Sequence, residues 1–209
     1  MRLVGGLTED QRQTLDNDLF EFTRMGSVNG VKRSILLGAD VNALDPRSEV
    51  WKLPQDRSYY TPLMHAISRG FVDVVNELIK YGADVNKRLS PKLGSLERSI
   101  HENEYHYQTG PGMYYGLKYP TPLMMAIERE VEFHDTANNI KIIRALLNHG
   151  ARIGDSMLGR VTALDLAVEY HLWDCADVLI KYDPSPEGRD AEDIDNLLRR
   201  IAHWKKYGT

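Results

Sequence analysis

Gly38-Ala39-Asp40-Val41-Asn42 recurs unchanged as Gly82-Ala83-Asp84-Val85-Asn86 and loosely as Gly150-Ala151-Arg152-Ile153-Gly154. Self-similarity of this kind marks a repeat architecture, in which one supersecondary unit cannot bury its apolar face alone and stacks on its neighbours. Each copy closes an apolar helix. Ahead of the second and third copies stand Thr61-Pro62-Leu63-Met64-His65-Ala66 and Thr121-Pro122-Leu123-Met124-Met125-Ala126, and Val161-Thr162-Ala163-Leu164-Asp165-Leu166-Ala167 opens a fourth unit.

Threonine caps a helix start by accepting a hydrogen bond from an amide of the first turn, and proline at the first helical position gives up only an amide that had no partner. Gly82 supplies the left-handed residue that ends the second helix. Between them Leu63, Ala66 and Ile67, then Val74, Val75, Leu78 and Ile79, recur at three- and four-residue spacing, as two short helices packed as a hairpin require. Small Ala66, Ala126 and Ala167 allow close helix approach.

Over about residues 17 to 183 these motifs resemble the ankyrin repeat. The resemblance implies a mainly α fold: an ankyrin-repeat solenoid of helix hairpins and β-hairpin fingers, with about four repeats, capping helices and long inter-repeat insertions. There are two departures. The family places histidine directly after Thr-Pro-Leu, whereas here Met64 and Met124 hold that place and His65 follows one residue later, so the family histidine's hydrogen bond does not carry over to His65. The fourth unit has Ala163 in place of proline and reaches Asp183-Pro184 without the Gly-Ala-Asp signature, as a degenerate last repeat does.

One domain spanning 1–209 is expected. Its parts are an N-terminal cap at 1–16, a degenerate first repeat at 17–42, a finger insertion at 43–60 and a second repeat at 61–86. A long tyrosine-rich insertion at 87–119, a third repeat at 120–154, a fourth at 155–183 and a C-terminal capping helix at 184–209 complete it. The first unit runs through Leu19, Phe20, Phe22, Gly26, Val28, Val31 and Ile35 to Gly38, and Thr8-Glu9-Asp10-Gln11 has capping-box spacing ahead of it, which predicts an additional helix or an extended first helix. At the other end Ile194, Leu197, Leu198, Ile201 and Trp204 form one stripe, with acids early and bases late, the order that complements a helix dipole. A solenoid must seal its terminal apolar face, so a capping helix is the favoured reading over a separate partner-binding helix.

Against the family period of 33 residues, spacing measures insertion directly. Gly38 to Gly82 is 44 positions, an excess of 11, and Gly82 to Gly150 is 68, an excess of 35. Of the latter, 27 precede Thr121 and 8 fall between Glu130 and Asn139, inside the third hairpin. Most inserted residues therefore fall in the fingers linking repeats, the side on which the family commonly builds its binding surface. Length alone is weak evidence, because doubling a flexible loop costs only about 0.6 kcal/mol. Composition says more. Tyr105, Tyr107, Tyr114, Tyr115 and Tyr119 lie in the long insertion, and Trp51, Tyr59 and Tyr60 in the short one. Such side chains dominate binding hot spots, yet they also fold back as satellite cores, and the sequence leaves both open. By analogy with the family, concave-face positions are Arg57, Ser58, Tyr60, Ser68 and Arg69, then Lys118, Glu128 and Arg129, then Arg160, Glu169 and Tyr170.

Composition bounds the function. The chain is 42% hydrophobic and 27% charged with net charge −4, ordinary for a folded protein and without the basic field that draws proteins to nucleic acid or anionic membranes. No apolar run approaches the roughly 20 residues that span a bilayer. Cys175 has no internal disulfide partner and Met1 to Asp10 lack a secretory core, so a cytoplasmic setting is expected, in the producing cell or a host.

His101 and His106 sit five apart where a helical zinc pair needs four. His134-Asp135 lacks further ligands and reads as an inter-helix loop. Cys175 follows His171 by four residues but falls on the inward face of a second helix, where cysteine is inert filler. No catalytic motif, metal site or cofactor is expected, nor a small-molecule substrate. What remains is recognition of a protein partner, in a sharper form as an inhibitor of an enzyme or toxin. The alternatives are an adaptor that uses the C-terminal helix as a second surface, and an enzyme with an unrecognised site in 87–119.

Overall fold

A computed structural model of the chain describes residues 7–45, 58–88, 90–91, 120–156, 161–183 and 191–207. These are mostly helical: α1 (Glu9–Arg24), α2 (Val28–Leu37), α3 (Pro62–Arg69), α4 (Val72–Lys80), α5 (Pro122–Phe133), α6 (Thr136–Asn148), α7 (Ala163–Glu169), α8 (Trp173–Tyr182) and α9 (Ala191–Tyr207). A two-residue antiparallel ladder joins β1 (Ser58–Tyr59) to β2 (Ser90–Pro91), with Ser58 opposite Pro91 and Tyr59 opposite Ser90. The described residues divide into two compact units, one with α1 to α4 and the ladder, the other with residues 85–88 and α5 to α9.

In the first unit α1 pairs with α2 and α3 with α4, while α1 also packs on α3 and α2 on α4. The second unit repeats the scheme, α5 with α6 and α7 with α8 forming hairpins in which α5 meets α7 and α6 meets α8. Helix starts follow the local code. Thr61 and Thr121 accept the amides of Met64 and Met124 at 3.3 Å, each with proline next in line. Thr162 has alanine there, and Asp165 compensates by closing a capping box, its carboxylate accepting the Thr162 amide at 2.8 Å. Thr8 and Gln11 close another, and α1 is the extended first helix, running unbroken through Asp16 and Asn17.

Packing explains the apolar spacing. Leu63, Ala66, Ile67, Val75 and Leu78, with their counterparts Leu123, Ala126, Ile127, Ile143 and Leu146, are all within 1% of complete burial. Each such valine, leucine or isoleucine contributes about 1.5–3 kcal/mol. Gly30 is required by proximity, because a Cβ there would lie 2.3 Å from the Phe22 ring. The pentapeptide itself ends each second helix with a left-handed glycine, φ 114° at Gly38 and 90° at Gly82, and its asparagine forms a clasp. Asn42 donates to the Gly82 carbonyl at 3.2 Å and accepts the Asp84 amide at 2.8 Å; Asn86 does the same with Gly150 at 2.9 Å and Arg152 at 3.0 Å. The third copy has Gly154 in that place and no side-chain amide to offer.

The eight extra residues of the third hairpin are helix. α5 and α6 hold 12 and 13 residues where α3 and α4 hold 8 and 9, so each arm gains about one turn and only His134-Asp135 intervenes. In the other three hairpins a first-helix carbonyl accepts the amide at the hairpin turn: Phe22 from Ser27, Ala66 from Phe71, Ala167 from Leu172. In the lengthened hairpin the side-chain amide of fully buried Asn139 donates to the Ala126 carbonyl at 2.6 Å instead.

At the C-terminus α9 lies on α8, burying Leu197 and Ile201. Lys205 reaches Asp177 at 2.7 Å and Arg200 lies 4.9 Å over the Trp173 ring. Leu198 departs from the expected stripe: it is 44% exposed, being one residue, about 100° of helix, from Leu197.

Candidate recognition surface

Asp45 closes the root of the first insertion. Its amide donates to the Tyr60 carbonyl at 2.9 Å, and its fully buried carboxylate accepts from Arg24 Nη1 at 2.6 Å and lies 3.2 Å from His65 Nε2. Tyr60 meets the His65 ring edge-on, centroids 5.2 Å apart, with Phe20 at 6.0 Å. Burial brings the His65 pKa down to about 4, Arg24 adding to the effect against the pull of Asp45. The neutral ring therefore donates its Nε2 proton to Asp45. His65 thus makes a hydrogen bond of its own, one the family motif does not announce, because Asp45 stands 20 residues before it.

The β1–β2 ladder ties the end of the first insertion to the start of the second. Tyr59 lies in β1 and Tyr60 is half-buried at its exit.

Each unit also presents the ends of its first helices. Arg69 is exposed in the last turn of α3, and Ser68 is half-buried, its hydroxyl donating to the His65 carbonyl at 3.0 Å. At the same register in the second unit stand Glu128 and Arg129, then Glu169 and Tyr170. Glu169 is exposed and Tyr170, which caps α7, is half-buried. Arg129 corrects the expectation of a solvent-facing cation. It is 6% exposed, its Nη2 donates to Asp135 at 3.3 Å and its guanidinium lies 5.2 Å over the Phe133 ring. The cause is the extra turn of α5, which carries Phe133 past the point where α3 ends. Glu128 and Glu130 are buried with it. Glu130 accepts from the Thr136 hydroxyl and leaves Oε2 without a partner. Glu128 Oε1 is buried without any, and burial pushes that carboxyl up to about 8. Sequence reasoning placed Glu128 at such an end but had no signal for its burial.

Trp51, Arg57, Tyr105, Tyr107, Tyr114, Tyr115, Lys118, Tyr119 and Arg160 lie outside the described residues, as do His101 and His106. The remaining chemistry has a backbone explanation. Gly26 and Gly70 turn the first two hairpins at φ 70° and 73°, and His134 and His171 take that left-handed role in the next two at 51° and 57°. Histidine tolerates this region better than most side chains. Cys175 is buried at the packing position of Val74 and Ile142, and burial, with Glu130 and Asp174 adding, pushes its thiol up to about 12. A thiol held protonated is no nucleophile. Among the described residues no three histidine, cysteine or acidic side chains gather to hold a metal, and no helix is long and apolar enough to cross a membrane.

Residues 58–88 match the family model of the ankyrin repeat. No curated protein matches the chain. The matched segment holds β1, α3, α4 and the second pentapeptide, the stretch whose caps, core and asparagine clasp are described above. Ankyrin repeats generally mediate protein–protein interaction and are generally not catalytic. Residues 58–88 of the chain are thus an ankyrin repeat.

Proposed function

We propose that the chain is a non-catalytic recognition module for a protein partner, which it contacts through the first-helix ends of each unit, including Arg69 in the first and Tyr170 in the second, and through the insertions 43–60 and 87–119. The observation that carries this reading is the joining of the two insertion roots by the β1–β2 ladder, with Asp45 and Tyr60 closing the first of them. Recognition segments work when a packed scaffold fixes their ends, so that less freedom is lost on binding. The insertions also hold Trp51 and the tyrosines at 59, 60, 105, 107, 114, 115 and 119, the residue types that anchor interfaces. In its sharper form the module is an inhibitor whose insertion covers a partner's cleft. A cytoplasmic setting suits the single buried thiol.

The test is capture of partners by the immobilised full chain and by its Tyr105/Tyr107/Tyr114/Tyr115→Ala variant. A protein held by the native chain and released by the folded variant is the expected result. Equal retention by both removes the insertion from the reading, and no specific binder above a heat-denatured control overturns it.

A further inference from the structure

The second unit carries two carboxylates at one register. Glu128 and Glu169 each stand seven residues after a capping threonine, Thr121 and Thr162, on helices α5 and α7 that pack together. Packed helix axes lie about 8–10 Å apart, and two acids at one register on such helices are expected at about that separation. Glu169 is exposed, whereas Glu128 retains 8% of its surface and its Oε1 is buried with no hydrogen-bond donor. The neighbouring cation does not serve it: Arg129 Nη2 goes to Asp135 and its guanidinium lies over Phe133, while its Nε and Nη1 are buried without a hydrogen bond. Burial accounts for the raised Glu128 pKa, and no cation among the described residues offsets it. An unbonded buried carboxyl costs stability, and such a cost is retained where function needs it.

We infer that Glu128 and Glu169 together receive two basic side chains, arginine or lysine, from an extended segment of the partner, the first supplying the donor that Glu128 lacks and the second pairing at the surface with Glu169. This rests on the recognition reading above and names the partner's chemistry. A recessed acid selects a long side chain charged at its tip, and arginine is the residue best suited to a desolvated ion pair. In an extended or polyproline-like segment, residues two or three apart reach about 7–9 Å, which matches the spacing of the acids.

The test is selection from a random dodecapeptide display library on the full chain at pH 8.5, with Glu128→Gln and Glu169→Gln chains in parallel and melting curves to verify folding. Expected are peptides enriched in basic pairs two or three residues apart, binding about tenfold more weakly to the Glu128→Gln chain and about threefold more weakly to Glu169→Gln. Enriched peptides without basic pairs, or basic pairs kept by both variants, overturn the inference and leave the recognition reading standing. No enrichment at all overturns it too, because a linear segment is claimed to suffice; the recognition reading is then decided by partner capture.

Discussion

The α3/α4 and α5/α6 hairpins begin with the same Thr-Pro-Leu-Met and end with the same left-handed glycine, yet they solve the turn between their arms differently. In α3/α4 the chain turns at Gly70 and the Phe71 amide bonds the Ala66 carbonyl. In α5/α6 each arm is a turn longer, His134 takes the left-handed residue's role, and Asn139 reaches the equivalent Ala126 carbonyl with its side chain. The short hairpin ends in an exposed Arg69; the long one buries Glu128, Arg129 and Glu130. An insertion into a repeat therefore need not be a loop. Extending both arms in step keeps their packing register, and the added turns supply polar groups that change what the helix ends can contact.

The comparison can be broken first at what the hairpins share. Leu63→Ala and Leu123→Ala remove equivalent buried side chains, and each is expected to cost about 2–5 kcal/mol in urea unfolding; a mild effect at only one site would mean that the two cores are not equivalent. Where they differ, Asn139→Ala takes away a buried bond that only the long hairpin uses, with an expected loss of about 1–3 kcal/mol, read from the same transitions.

Titration sharpens the contrast. His65 has a folded pKa near 4 against an ordinary 6.5, so the unfolded chain takes up the proton first and stability falls as pH drops from 6.5 to 4. Glu128 is raised to about 8 from 4.5, so the unfolded chain ionises first and stability falls as pH rises from 4.5 to 8. Melting curves of His65→Gln should lose part of the acid dependence, and those of Glu128→Gln should gain on native at pH 8.5 while matching it at pH 4.5. A Glu128→Gln chain with no gain at high pH would show that Glu128 is not desolvated.

The smallest effect concerns the turns. His134→Gly and His171→Gly relieve a left-handed side-chain residue at the expense of chain entropy, so changes within about 1 kcal/mol are expected. A larger loss at either would reveal a side-chain role that the backbone does not explain.

What could be read in advance was local. Thr61, Pro62 and Gly82 act within a turn or two of their own positions, and the spacing of Leu63, Ala66 and Ile67 reflects one face of one helix, so caps, hairpins and core were legible. The eight-residue excess was located by counting, and its polar break at His134-Asp135 also, but its helical character was not: Glu130 to Phe133 contains no glycine or proline to mark a loop, and only packing keeps the added turns ordered.

The register of the helix ends was equally legible, whereas the fate of their side chains was not. Arg69 stayed at the surface while Arg129 turned inward, because Phe133 and Asp135 lie beside one and have no counterpart beside the other. The repeat and the places where its period fails can thus be read from the residues alone. Tertiary packing alone sets which charges are buried, how Arg24, Asp45 and His65 meet although 41 positions separate the first from the last, and where the roots of the two insertions join. Those outcomes depend on desolvation and on contacts between distant segments, which no local spacing encodes.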